Sequence, residues 1–279
     1  MTGKNILIIG GGIRLEKAAE AFAESGSKVS LFDGSVALKS AVDSSDIIVL
    51  GIPAVNDDGT VCAENLTSGV SLRDLSMLVG KKKLVVGGRL SERAKAIFDI
   101  YGVRWADYAL REEFEMANAV PTAEGAIGLA MEEFPFTLHS SRTIVTGFGK
   151  VSLALASRLH ALGSDVTICA RRAEARAMAK SFSFSAVDFP LLPEAAKSCD
   201  ILFNTVPAKV IGRDALSALP PHAGVIDLAS KPGGVDLPEA KELGINVIWA
   251  LSLPGKVAPV SAGRIIAETV CSIAEEMRL

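Results

Sequence analysis

Two short apolar runs of this sequence each end in a glycine-rich turn, and a helical pattern follows each turn. The run Asn5–Ile9 leads into Gly10–Gly12, and the run Arg142–Thr146 leads into Gly147–Gly149. Continuous apolar strands that alternate with helices are typical of a parallel sheet covered by helices on both faces. The sequence therefore predicts an α/β fold with two open parallel-sheet domains, each of which begins with a strand, a glycine turn and a helix.

The remaining patterns divide the chain into two domains. We expect an N-terminal substrate or partner domain over residues 1–118, completed by residues 260–279, and a Rossmann dinucleotide-binding domain with its linking helix over residues 119–259. The final helical pattern, Ser261–Arg278, lies beyond the last strand and is expected to pack back on the first domain. The other predicted strands are Lys28–Phe32, Asp46–Leu50, Lys83–Val86, Asp165–Cys169, Ile201–Asn204, Val225–Leu228 and Asn246–Trp249.

The linking segment is a long helical pattern over Arg111–Phe134 that contains one proline, Pro121. Proline is best tolerated in the first turn of a helix. The sequence therefore predicts either a break near Val120 or a new helix that starts at Pro121.

The composition of the 279 residues narrows the class of protein. Apolar residues make up 49% and charged residues 22%, which is the composition of a globular protein with buried cores. The formal net charge is −3, so no basic surface for nucleic acid is expected. The four cysteines are far apart and the three histidines are isolated, which favours reduced thiols and no metal site. Neither a signal peptide nor a membrane-spanning apolar run is recognisable, so we expect a cytoplasmic protein without membrane contact.

The segment around Gly147 has the pattern of a dinucleotide-binding turn. Gly147 can form the tight turn, Gly149 lets the backbone approach a pyrophosphate, and the following helix offers N–H groups and the positive end of its dipole. Ser152 stands where this pattern normally has a third glycine, and its small side chain still allows close packing of helix on strand. The next strand leads into Arg171 and Arg172 instead of an acidic residue, and arginine there matches the 2′-phosphate of NADP. The alternative for these arginines is a solvated, charged helix start.

Polar or glycine-rich loops follow the last three predicted strands, at Asn204–Pro207, Asp227–Gly234 and Leu253–Pro259. Ligands of open α/β sheets bind at the carboxyl ends of the strands, so we expect these loops to line one site, although each alone is also an ordinary turn. The expected cofactor-binding residues are Gly147, Phe148, Gly149, Lys150, Val151, Arg171, Arg172, Thr205, Val206, Pro207, Asp227, Leu228, Ala229, Pro254 and Val257.

Two further segments carry candidate substrate-binding groups. The first glycine turn is either a plain turn between strand and helix or a carboxylate site with Arg14 at its rim. The segment Asn118–Ala126 either contributes to a small-molecule site or caps a helix through Asn118 or Thr122, with Glu124 near the positive helix end.

Together these motifs resemble the family of the A component of dipicolinate synthase, from spore-forming bacteria. The resemblance covers residues 118–263 well and is looser over residues 1–110. Ser152 and Lys231 depart from the family pattern, which usually has glycine or alanine at the first position and often arginine at the second. The motifs that carry the resemblance are NAVPTAEGAI (118–127), GFGKVS (147–152), NTVP (204–207), DLASKPGG (227–234) and LPGKVAPVSAG (253–263).

The resemblance implies the oxidation of dihydrodipicolinate, a dicarboxylate, to dipicolinate with reduction of NADP during sporulation, in the mother-cell cytoplasm. It also implies a second subunit, the B component of dipicolinate synthase, and we expect a homo-oligomer. Glu124 and Asp227 are candidate proton acceptors, and Arg89 is a further candidate cation for a substrate carboxylate. The catalytic residues are expected to be Thr122, Glu124 and Lys256, and the substrate-binding residues Arg14, Asn118, Ser230 and Lys231.

Two other classes of protein remain open from the sequence. A two-domain NAD(P) dehydrogenase of another small carboxylate is one, although the hydroxyacid type needs a histidine–carboxylate pair, and Lys256 stands in the loop after the last strand instead. The other is a nucleotide-binding subunit without turnover of its own, which would not need the threonine, glutamate and lysine groups of these loops.

Overall fold

The structure, a computed structural model, describes residues 3–63, 65–66 and 68–279. The chain divides into two units, Met1–Asn118 with Ala258–Leu279 (unit 1) and Ala119–Val257 (unit 2). The strands are β1 Asn5–Ile9, β2 Lys28–Leu31, β3 Ile47–Leu50, β4 Leu84–Gly87, β5 Arg104–Asp107, β6 Arg142–Thr146, β7 Asp165–Cys169, β8 Ser185–Val187, β9 Ile201–Asn204, β10 Gly224–Asp227 and β11 Asn246–Trp249. The helices are α1 Ile13–Glu24, α2 Leu38–Asp43, α3 Leu72–Val79, α4 Glu92–Ile100, α5 Glu112–Glu133, α6 Lys150–Ala161, α7 Ala173–Ser181, α8 Leu192–Ala196, α9 Arg213–Ser217, α10 Leu237–Glu242, α11 Leu253–Val257 and α12 Pro259–Glu276.

Unit 1 is built on a parallel five-stranded sheet in the order β2-β1-β3-β4-β5. The residues of β3 and β4 are all buried because helices cover both faces of the sheet, which explains why these strands are continuous apolar runs. The C-terminal helix α12 packs on α1, as expected from the sequence. At Gly263 the two helices approach so closely that an added Cβ would lie 2.5 Å from the backbone nitrogen of Ala18.

Unit 2 is built on a parallel six-stranded sheet in the order β11-β10-β9-β6-β7-β8. The chain runs outward from β6 through β7 to β8 and then crosses to the other side of β6 to form β9. The strand order therefore reverses between β6 and β9, and this is where open α/β sheets bind nucleotides. The predicted fold class, two parallel-sheet α/β domains of which the second is Rossmann-like, is confirmed.

The prediction of a helix break at Pro121 is wrong, because α5 is one helix of 22 residues with the proline inside it. Pro121 removes the N–H that would bond the carbonyl of Ala117, at a cost of about 3 kcal/mol. The helix nevertheless continues because it buries Phe114 on one side of the proline and Ala123 on the other. Packing of this face outweighs the local cost, as is usual for helices in proteins.

The sequence pattern predicts a loop that starts at Leu253, and the structure has the short helix α11 there instead. Leu253 and Pro254 are both buried, and proline is compatible with the first turn of a helix. Gly125 of α5 allows the approach of this helix, because a Cβ there would lie 3.0 Å from Val257 and 3.2 Å from Leu253. The sequence pattern missed this contact because the packing partners are far apart along the chain.

Candidate dinucleotide site

The turn Gly147–Gly149 connects the buried strand β6 to helix α6 at the point where the strand order of unit 2 reverses. Gly147 has φ 83°, a conformation that favours glycine, and a Cβ there would lie 2.8 Å from Thr205 Oγ1 and 3.0 Å from Val206 Cγ2. The turn therefore rests directly on the loop that follows β9. The structure brings together these parts of the predicted cofactor site.

Gly149 is the position at which the turn opens outward. A Cβ built on Gly149 would meet no protein atom within 4 Å, so the space in front of it is open. Helix α6 begins at the next residue, and the N–H groups of its first turn have no acceptors within the helix. An open approach at the positive end of a helix is the arrangement that a pyrophosphate needs, so the residues present fit a dinucleotide.

Ser152, at the position where a third glycine is usual, is fully buried and closes the turn. Its Oγ accepts a hydrogen bond from the Gly149 N–H at 2.6 Å and donates to the Gly149 carbonyl at 3.0 Å. The small hydroxyl side chain thus fits beneath the helix and fixes the conformation of Gly149.

A buried polar network joins the last residues of three neighbouring strands. Thr146 ends β6, Asn204 ends β9 and Asp227 ends β10, and all three are buried. The Thr146 hydroxyl donates to Asn204 Oδ1 at 2.5 Å, and Asn204 Nδ2 donates to Asp227 Oδ1 at 2.7 Å. Asn204 also accepts from the N–H of Val206 and donates to its carbonyl, so the network fixes the loop on which Gly147 rests.

Asp227 orders the glycine-rich loop that follows β10. Its Oδ1 accepts from the Ala229 N–H at 3.0 Å, and its Oδ2 accepts from the Gly234 N–H at 2.8 Å. The loop is also held by Trp249, whose Nε1 donates to the Ala229 carbonyl at 2.9 Å. With Asn204, three donors occupy a carboxylate that is only 2% exposed, which suits a structural role better than that of a proton acceptor.

The other predicted cofactor-binding residues differ in how they are presented. Ala229 and Pro254 are buried, so their side chains belong to the core. Residues that are exposed or half-buried offer side chains or backbone to a ligand; they are Phe148, Lys150, Val151, Arg171, Arg172, Thr205, Val206, Pro207, Leu228 and Val257. The Thr205 hydroxyl donates to the Thr146 carbonyl at 2.7 Å, which joins this loop to β6 a second time.

The two arginines expected at the 2′-phosphate lie between β7 and α7. Both are exposed, and Arg172 is the N-terminal cap residue of α7. Arg176, which sequence reasoning missed, bonds the carbonyls of Ala170 and Arg171. Its spacing from Arg172 on a helix was the signal available, since side chains four residues apart lie on one face.

Asn118 and Thr122 do not cap a helix, because α5 begins at Glu112 and contains both of them. Glu124 on the same helix has a 59% exposed side chain, and its Oε1 lies 3.4 Å from Nε of Arg158. Thr122 is half-buried, two residues before Glu124. Ser230 is half-buried, whereas Lys231 and Lys256 are exposed.

Unit 1 holds a separate cationic cluster around Arg14. The Arg14 guanidinium donates from Nη2 to Asn118 Oδ1 at 2.8 Å and lies 5.5 Å from the ring centre of Phe114. Burial lowers the pKa of Arg14, and the positive charge of Arg89 lowers it further. Arg89 itself is exposed, with φ 53°, and its backbone N–H donates to Asp107 at 3.0 Å. A buried cation with an amide neighbour can bind a carboxylate, which would also repay part of its cost of burial.

The thiols and the remaining surface add no further chemistry to this site. Burial raises the pKa of Cys169 and of Cys199 to about 12, so both are protonated near neutral pH. Within residues 3–63, 65–66 and 68–279, no three or more His, Cys, Asp or Glu side chains are grouped to hold a metal ion. Over the same residues, every helix is too short or too polar to cross a membrane.

Comparison with known proteins defines the class first. Residues 110–232 match the family described as D-isomer specific 2-hydroxyacid dehydrogenase, NAD binding domain. The fold is also that of D-lactate dehydrogenase from Escherichia coli, with a TM-score of 0.65 and 13% identity over 98% of this chain and 97% of that chain. The chain is therefore a dehydrogenase-like oxidoreductase with a domain for a nicotinamide dinucleotide.

The particular likeness is to the A component of dipicolinate synthase. The sequence is 34% identical to this protein from Bacillus subtilis over 168 residues, which is 60% of this chain and only 57% of the relative. The crystal structure of the same component from Bacillus halodurans has a TM-score of 0.87 and 28% identity over 98% of both chains. The structure from Bacillus subtilis has a TM-score of 0.89 and 27% identity over 100% of this chain and 98% of that chain. The resemblance predicted from the sequence is confirmed.

Proposed function

We propose that this chain oxidises dihydrodipicolinate to dipicolinate with NADP as the oxidant, as a step of sporulation. The observation that carries the proposal is the seating of the GFGKVS turn on the NTVP loop at the strand-order reversal of unit 2. These two motifs also belong to the set by which the sequence resembles the A component of dipicolinate synthase, the protein that the comparisons name.

The reaction balances as a two-electron oxidation. Dihydrodipicolinate loses one hydride and one proton as its ring becomes aromatic. NADP supplies the acceptor for the hydride when it is bound. Aromatisation provides the driving force, so the chain has to orient the substrate, exclude water and take up the proton.

NADP is favoured over NAD by the charges that follow β7. Arg171 and Arg172 are both exposed, and the acidic residue that would hold a ribose 2′-hydroxyl is missing from these positions. Guanidinium groups bind phosphate through charge-assisted hydrogen bonds. The pyrophosphate is assigned to the open face of Gly149 and the first turn of α6.

The proposed catalytic residues of unit 2 are Thr122, Glu124 and Lys256. Glu124 is the candidate proton acceptor, because its carboxylate is exposed and only one cation, Arg158, contacts it in the part of the chain that the structure describes. Asp227, by contrast, is assigned to holding the loop that carries Ser230. Ser230 and Lys231 are proposed to bind the substrate in unit 2, and Arg14 and Asn118 are proposed to do so in unit 1.

The likeness to one lettered component of dipicolinate synthase supports a second one, and we include the B component in the proposal as a partner. The expected homo-oligomer is also carried forward, and light scattering on the purified chain measures it. Whether chemistry needs the B component is decided by the assay below.

The test is a coupled assay in which dihydrodipicolinate is generated fresh by its synthase. NADP and NAD are supplied separately, each with and without the B component, while reduced cofactor and dipicolinate are followed together. The proposal expects both products to rise with NADP and to rise more slowly with NAD. Binding of NADP without turnover in every arm would favour a nucleotide-binding subunit without its own activity.

A pair of matched variants tests the assigned catalytic carboxylate. Glu124→Gln should abolish turnover and leave the Kd for NADP unchanged, because the side chain is assigned to the proton and not to the cofactor. Glu132→Gln is the control, since it removes an exposed carboxylate from the same helix. Normal turnover by Glu124→Gln would show that the catalytic site is elsewhere.

A further inference from the structure

We propose that Arg176 is a positioning residue that sets the preference for NADP over NAD by holding the turn that carries Arg171 and Arg172. The inference rests on the proposed function, because it assigns the 2′-phosphate to that turn. Arg176 lies in the first half of α7, and its side chain reaches back toward the N-terminus of its own helix.

The contacts of Arg176 are with the backbone of the turn. Its Nη1 donates to the Ala170 carbonyl at 2.8 Å and to the Arg171 carbonyl at 2.6 Å. The side chain is also paired with Asp188, whose Oδ2 lies 3.3 Å from the same nitrogen. The guanidinium thus ties two consecutive carbonyls of the turn to the residue that follows β8.

A second tether holds the turn from the other side. The Ala170 N–H donates to the Val187 carbonyl at 3.0 Å, so this residue is bonded at both of its backbone groups. Arg171 and Arg172 follow directly, and both are exposed. Their backbone is therefore fixed, while their side chains remain available to an anion.

A cation at this place needs an explanation, because positive charge near a helix N-terminus is unfavourable. Bonds to two carbonyls and a carboxylate offset that cost for Arg176. The charge also remains next to the proposed 2′-phosphate, where it adds to the field of Arg171 and Arg172. Arg176 itself is committed to the turn, which separates its role from direct phosphate binding.

The experiment measures the Kd of NADP and of NAD by calorimetry on the full chain. The variants are Arg176→Met, Arg176→Lys and Lys180→Met, the last being an exposed cation on the same helix that serves as the charge-matched control. Arg176→Met should reduce the ratio of NAD to NADP dissociation constants by about tenfold, the scale of one lost charge-assisted bond. Arg176→Lys, which keeps a cationic donor on a shorter side chain, should restore part of that ratio. Lys180→Met should leave the ratio unchanged.

Each outcome decides between the two proposals. A wild-type chain that binds NAD as tightly as NADP overturns the NADP assignment and this inference together. A wild-type preference for NADP that survives Arg176→Met overturns this inference alone. Equal weakening of NADP and NAD by Arg176→Met also overturns it, because that result shows a general structural role.

Discussion

The replacement Asp227→Asn separates a structural role of this carboxylate from a chemical one. Asp227 accepts three hydrogen bonds, from Asn204 Nδ2, the Ala229 N–H and the Gly234 N–H, at 2.7, 3.0 and 2.8 Å. The replacement amide has one oxygen and one NH2 group, so at least one donor of the protein must face another donor. The amide orientation that keeps two bonds leaves the Gly234 N–H without an acceptor.

The loss can be estimated from these contacts. One charge-assisted hydrogen bond disappears, and one buried N–H loses its partner, which together cost about 3 kcal/mol. For a domain of this size, about 3 kcal/mol lowers Tm by roughly 10 °C. The loop from Asp227 to Gly234 also loses its anchor, so the Kd for NADP should rise.

Thermal melts followed by circular dichroism measure this prediction. Asp165→Asn is the matched control, because Asp165 is exposed at the start of β7 and its replacement should change stability by less than about 0.5 kcal/mol. An Asp227→Asn variant with the Tm of the wild type and no turnover would refute the structural role. It would instead make Asp227 the proton acceptor.

Three other predictions concern the turn, the loop and the thiols. Gly149→Ala should leave Tm within about 2 °C of the wild type, because its Cβ meets no protein atom, but should weaken NADP binding about tenfold in calorimetry; unchanged binding would show that no pyrophosphate approaches there. Gly234→Ala should destabilise the chain by more than about 3 kcal/mol in urea unfolding, since its Cβ would overlap the Asn204 amide and lie 2.5 Å from the Val206 carbonyl; a wild-type urea midpoint would contradict this packing. Cys169 and Cys199, with pKa raised to about 12, should carry a thiolate fraction on the order of 10⁻⁴ at about pH 8 and rise tenfold per pH unit; mass spectrometry should therefore find them unlabelled by iodoacetamide unless urea is added, and equal labelling without urea would contradict their burial.

The fold class could be predicted because the central strands are continuous apolar runs. The edge strands β5 and β8 were missed, since each has one neighbour and neither carries a buried apolar run. The error at Pro121 has a different cause. Local preference argued for a break, and burial of the surrounding alanine face decided for a helix.

The candidate site was predictable in its turns and not in its internal bonds. The glycine pattern located Gly147 and Gly149 from local spacing alone. The network of Thr146, Asn204 and Asp227 joins residues 58 and 23 positions apart, so it appears only once the strand order is known. A signal did exist, because each of these polar residues is the last one of an otherwise apolar strand.

The central claim is that dihydrodipicolinate gives its hydride to NADP on this chain. The most direct measurement is the ratio of NADPH to dipicolinate formed under anaerobic conditions, where oxygen cannot oxidise the substrate. With wild-type chain and the B component of dipicolinate synthase present, the account predicts equal amounts of the two products. Dipicolinate that forms without NADPH would contradict it.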